Sequence, residues 1–186
     1  MFKVSSCLLL SAADILWAIN IAIDTEQEGC MKKYSAVLMG MFLAGAASAL
    51  PPAEFVKKAG ASDLYEITSS KLVMNSTNPK LKSFANMMVT DHTKSTADVK
   101  AAAMKSGLKP MPPKLDAKQA SDVAALKKAS GAARDSLYIN QQKAAHQEAL
   151  ALHKDNAANS TAPALKAVSA TVVPVVEHHI SQLSSM

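Results

Sequence analysis

From Leu50 onward, apolar residues recur at spacings of three and four, the period of helices with one buried face. A first helix is predicted over 52–77, opened by a proline and stopped by Asn78-Pro79, with Phe55, Ala59, Ser62, Glu66, Ser70 and Val73 on one face. A second is predicted over 79–106 with Gly107 as its C-cap. Its apolar stripe is Leu81, Ala85, Met88, Val99 and Ala103, and His92 lies in the middle of it. The stretch GLKPMPPK at 107–114 is too rich in proline for helix and reads as the one long connection. A third helix is predicted from an Asp116 N-cap, soft at Ser130-Gly131, with a stronger section over 132–156. There Tyr138, Ala145, Ala149 and Leu152 make the stripe, Gln142 lies beside it, and His146 and His153 lie on its edge. A fourth, with Thr161 as N-cap and Pro163 in its first turn, has the cleanest period: Leu165, Val168, Val172, Val176, His179 and Leu183. Pro174 is expected to kink it, and His178, rotated about 100° from His179, to face water. Strand-like alternation is scarce, so the fold class is all-α, and four amphipathic helices of this length make a four-helix bundle.

Ahead of these helices, residues 31–49 (MKKYSAVLMGMFLAGAASA) have a dilysine start, an apolar run and an Ala-Ser-Ala ending, the pattern of a signal peptide cleaved after Ala49. The apolar run is too short for a membrane span, which needs about 20 residues. Residues 1–30 stand in front of this segment and are expected to be a non-native extension from a start codon placed too early. The domain is therefore expected at 50–186, in the periplasm or secreted. Cys7 and Cys30 both precede Met31, which leaves the domain no cysteine for a disulfide, a thiolate metal site or a nucleophile.

Charge adds little. The chain carries +5 with histidines neutral, spread along the helices without a basic run or interleaved aromatics, so nucleic-acid binding is not indicated. The cationic surface serves solubility, with peripheral contact to an anionic envelope surface as the alternative. Gly-rich phosphate loops, Gly-x-Ser-x-Gly and His-Glu-x-x-His are absent from the sequence, and no catalytic residue is assigned. Met74, Met87, Met88 and Met104 read as core filling.

The informative positions are polar residues on buried faces. An uncompensated carboxylate in an apolar interior costs several kcal/mol, so Glu66 needs a partner. At a rise of about 1.5 Å per residue from the Asn78-Pro79 turn, Glu66 lies about 18 Å down and His92 about 20 Å, in one layer. His92 and His146 also come level when counted from the lower ends of their helices. His179 falls about 12 Å deeper than His146 by the same rise. Glu66, His92, His146 and His179 thus form a candidate nitrogen and oxygen site for one transition metal ion: zinc, iron, copper or manganese. Asp91, Tyr138 and Gln142 are candidate supports, Asp91 orienting His92 or His146. The alternative is a metal-free network in which Glu66 accepts from a histidine or Tyr138.

The ordered set Phe55-Val-Lys-Lys-Ala, Glu66, Phe84-Ala-x-Met-Met-Val-x-Asp-His92, Tyr138-x-x-x-Gln-x-x-x-His146 and Pro174-x-Val-x-x-His179-Ile resembles the exported bacterial domain-of-unknown-function family numbered 4142. The resemblance covers nearly all of the domain. It implies a ferritin-like four-helix up-down bundle, and the family's frequent label of predicted outer membrane protein implies association with that membrane. Strand alternation of the kind that outer-membrane barrels need is not present. Di-iron ferritin-like proteins carry Glu-x-x-His on two helices, whereas here the position three before His92 is Val89 and that before His146 is Lys143.

The expected function is that of an exported bundle holding one transition metal in its core, with a role in envelope stress or metal handling. A non-enzymatic periplasmic structural or interaction protein with a metal-free polar core is the alternative.

Overall fold

A computed structural model describes residues 50–186; the expected signal peptide and the segment before it lie outside the described residues. Five helices follow in order: α1 Pro52–Lys71, α2 Pro79–Lys105, α3 Ala117–Lys128, α4 Gly131–Asn159 and α5 Pro163–Ser184. Three of them, α1, α2 and α5, begin with proline, whose fixed φ suits a first turn where its missing N–H is not needed.

The boundaries show where local chemistry decides. α1 stops at Lys71 rather than at the expected Thr77. Its last amides tighten to i→i−3 bonds, Leu72 to Ser69 and Val73 to Ser70, and Asn78 then caps α2 by accepting from Lys80 and Leu81. Gly107 ends α2 at φ +76°, and the Leu108 amide reaches back to the Ala103 carbonyl, a Schellman closure that glycine permits.

Asp116 opens α3 with a reciprocal capping box to Gln119. The predicted third helix is two helices. Ala129 is extended (φ −78°, ψ 159°), and Arg134 bonds both the Ala129 carbonyl and the Leu72 carbonyl, pinning the break to the end of α1. The expected Thr161 cap is also replaced. Ala162 takes that position without a side-chain bond, and the nearby hydroxyl of Ser160 accepts from the Ala162 amide instead.

α1 packs on α2 and α4, and α5 packs on the same two helices from the other side, so four helices close a ring. Every neighbouring pair runs antiparallel, as the pairings Phe55 with His153 and Ser70 with Tyr138 show for α1 and α4, and Lys80 with Ser185 and Asp91 with His179 for α2 and α5. α2 and α4 are diagonal and parallel, which requires the long crossover through α3; α3 lies outside on α1 and α4. This is the ferritin-like arrangement of an up-down ring with one long connection.

The core is layered. At the α1–α2 turn end, Leu81, Phe84, Ala85, Met88, Tyr138 and Leu183 are buried together. At the opposite end Phe55, Ala59, Val99, Ala103, Leu165 and Val168 form a second apolar cluster. Burying each large side chain of this kind contributes about 1.5–3 kcal/mol, and the two clusters clamp the layer between them. Among the described residues, no helix is long and apolar enough to cross a membrane.

Candidate metal centre

Each of the four ring helices presents a polar side chain to the middle layer, because Glu66, His92, His146 and His179 occupy positions on the buried stripe of α1, α2, α4 and α5. All four are at most 5% exposed. His92, His146 and His179 each offer a nitrogen lying within 4.8 Å of the others.

The hydrogen bonds fix which nitrogens these are. His146 Nδ1 lies 3.0 Å from the Gln142 carbonyl, which only accepts, so Nδ1 carries the proton and Nε2 keeps its lone pair. His92 donates from Nδ1 to Asp63 Oδ1 at 2.8 Å, leaving Nε2 buried without a hydrogen-bond partner. His179 donates from Nε2 to Asp91 Oδ2 at 3.0 Å, leaving Nδ1 inward, 3.3 Å from His146 Nε2. Two nitrogens bound to one tetrahedral ion at 2.0–2.1 Å lie about 3.3 Å apart. Holding the remote N–H of a metal-binding imidazole on a carboxylate or a carbonyl is the arrangement that orients such ligands.

Glu66 stands beside the triad. Its Oε1 is 3.8 Å from His146 Nδ1, and neither oxygen has a hydrogen-bond partner. Burial pushes this carboxyl up to about 7. Burial pushes His146 down to about 3, helped by charge on His92 and His179, and His179 is lowered for the same first reason. At His92 burial opposes charge, but the Asp63 hydrogen bond and the Glu66 carboxylate outweigh it and raise the pKa. A divalent cation placed among these groups supplies the positive charge that Glu66 lacks. Two of the three imidazoles are already held neutral, as metal ligands must be.

The structure brings His179 level with His146, against the sequence-based offset of about 12 Å. α4 runs to Asn159 instead of 156 and α5 starts at Pro163, so the offset shrinks to about one helical turn, which the side chains span. α5 continues through Pro174. Asp91 supports an imidazole as expected, but that of His179 rather than His92 or His146. Gln142 contributes its backbone carbonyl to His146 and donates its amide to Ser69. The Tyr138 hydroxyl bonds Ser70 at 2.7 Å and supports neither Glu66 nor a histidine directly.

Asp63 is the partner that sequence reasoning missed, held in turn by Thr96 at 3.2 Å. The signal was its place three residues before Glu66, on the same flank of α1. His178 faces solvent as expected.

The family described as "Domain of unknown function (DUF4142)" matches residues 42–186. The chain belongs to the DUF4142 family. This DUF4142 chain is also similar to the crystal structure of a DUF305 fragment from Deinococcus radiodurans, with a TM-score of 0.63 and 14% identity over 74% of this chain and 96% of that one. That likeness concerns the fold. No curated protein matches the chain. A di-iron centre of the ferritin kind does not fit this DUF4142 chain. Among the described residues, Asp63 and Asp91 hydrogen-bond imidazoles and Glu66 is the one other carboxylate at the triad, and Glu-x-x-His is absent from the sequence.

Proposed function

We propose that the DUF4142 bundle binds one transition metal ion through His92, His146 and His179, with Glu66 beside the site acting through a bound water rather than as a direct ligand. The observation that carries this reading is the convergence of three buried imidazole nitrogens whose opposite N–H groups are already committed to Asp63, the Gln142 carbonyl and Asp91. Three imidazole nitrogens suit zinc, copper or iron ahead of manganese, which prefers oxygen. With residues 31–49 read as a signal peptide, the protein works in the bacterial envelope in metal handling or envelope stress.

Thermal unfolding of metal-free protein tests this. An ion that binds only the folded chain stabilises it by about 4 kcal/mol at a thousand times its Kd. The expected result is a rise in Tm with one or more of zinc, copper, iron(II) and manganese, abolished in His146→Ala. The same Tm with every ion would point to the second reading.

The second reading is a metal-free polar core in a non-enzymatic interaction protein. The observation favouring it is the 3.3 Å contact of His146 with His179, which is also a hydrogen bond when His179 carries both protons. That reading expects stability indifferent to chelator.

A further inference from the structure

The three carboxylates around the triad differ in one respect. The side chains of Asp63 and Glu66 are 4% and 1% exposed, whereas that of Asp91 is 34% exposed. Asp91 therefore joins the buried His179 to solvent across the seam between α2 and α5.

Three other approaches are covered by packing. Along the bundle axis, the clusters around Phe84 and Tyr138 at one end and Phe55 and Leu165 at the other are fully buried. On the α1 side, Asp63 is locked between His92 and Thr96. On the α4 side, the helix backbone itself covers His146 through the Gln142 carbonyl.

The α2–α5 seam also carries soft and borderline donors on its outer face. His178 is exposed with its ring 6.4 Å from that of His179, and Met87 is half-buried with its sulfur 3.7 Å from the Gln182 amide. Oxygen, imidazole and thioether donors thus sit outside His179, whose link to solvent runs through the half-buried Asp91.

We infer that a divalent cation reaches and leaves the triad across the α2–α5 seam, with Asp91 as its outer ligand before it passes the His179 ring to the inward Nδ1. This rests on the metal-binding reading above. Asp91 then has two jobs: it orients His179 through Oδ2 and takes up the incoming ion on the exposed remainder of its carboxylate. An outer ligand of this kind lowers the barrier in both directions, so its removal slows loading and release together. A residue that only orients a ligand acts on release and affinity instead.

The test uses cobalt(II) alone as a spectroscopic probe, followed by stopped-flow absorbance as it loads metal-free full chain and as EDTA removes it. Asp91→Asn, which keeps the hydrogen-bond acceptor and the size, is expected to keep one cobalt per chain while loading and release each slow by fivefold or more. Asp91→Glu, which keeps the carboxylate, is expected to recover most of the rate. Asp63→Asn is expected to speed release and leave loading within twofold. Equal loading rates for Asp91→Asn and wild type at full stoichiometry would overturn the route, as would faster release from Asp91→Asn. Failure of the wild type to take up cobalt, or any of the four ions tested above, would instead overturn the metal-binding reading itself.

Discussion

Two polar clusters lie buried in the bundle, one where α4 meets α5 and one at the centre of the ring, and they handle their hydrogen bonds in opposite ways. In one, His153 Nδ1 lies 3.1 Å from the Ser169 hydroxyl, and Asn156 donates both to that hydroxyl and to the Leu165 carbonyl. The other is the triad with Glu66. Among the described residues, the buried side-chain atoms without partners are both Glu66 oxygens, His92 Nε2, Ser95 Oγ and Gln142 Oε1. Four of these five atoms belong to Glu66, His92 and Gln142, and Ser95 lies one turn from His92 on the same face of α2.

Histidine burial is similar in the two places, so burial does not distinguish a structural histidine from a ligand. What distinguishes them is whether the surroundings use up the polar atoms. The His153 cluster is a lock between two helices, whereas the triad is a set of donors aimed at a common point. Natural interiors leave few polar atoms unpaired, so their concentration in one layer sets the middle of the bundle apart from the His153 cluster.

The largest effect expected from breaking this contrast is at Glu66. Its carboxyl is pushed up to about 7 in the folded protein from an ordinary 4.5. Between those values the folded state binds the extra proton, so stability of the metal-free protein falls as pH rises through that window and stays lowered above it. Glu66→Gln should therefore stabilise metal-free protein by about 3 kcal/mol at pH 8 and by little at pH 4, as read by urea unfolding. No difference between pH 4 and pH 8 would show that a protein group already compensates Glu66.

The smaller effect lies in the lock. Ser169→Ala removes the shared partner of His153 and Asn156 and should cost about 2 kcal/mol in the same assay, through orphaned polar groups. It should leave any ion-dependent rise in Tm as in the wild type. A loss of that rise would mean that the two clusters act as one network and would remove the distinction between them.

Most of the bundle could be read from the chain because its signals are local: the proline-led starts of α1, α2 and α5, Gly107, and the Asp116 cap each act within a few residues. Glu66, His92, His146 and His179 were visible as polar interruptions of apolar stripes. The break before Gly131 was visible as a soft spot only, because what makes it a break is Arg134 reaching to Leu72, a contact between distant segments. The level of His179 depended on three further residues of α4, and helix ends are where propensity says least. Pairing of Asp63 with His92, and of Asp91 with His179, needed the relative rotation of neighbouring helices, which no single stripe contains.

The central claim, that the three imidazoles of the middle layer hold an ion, is tested most directly by elemental mass spectrometry on the untagged protein beside His92→Ala/His146→Ala and Ser169→Ala. A metal centre predicts close to one transition metal ion per chain in the wild type and in Ser169→Ala, and none in the triad variant. Wild-type protein that is metal-free as purified and stays so after incubation with zinc, copper, iron(II) and manganese would contradict it, and so would metal retained by the triad variant.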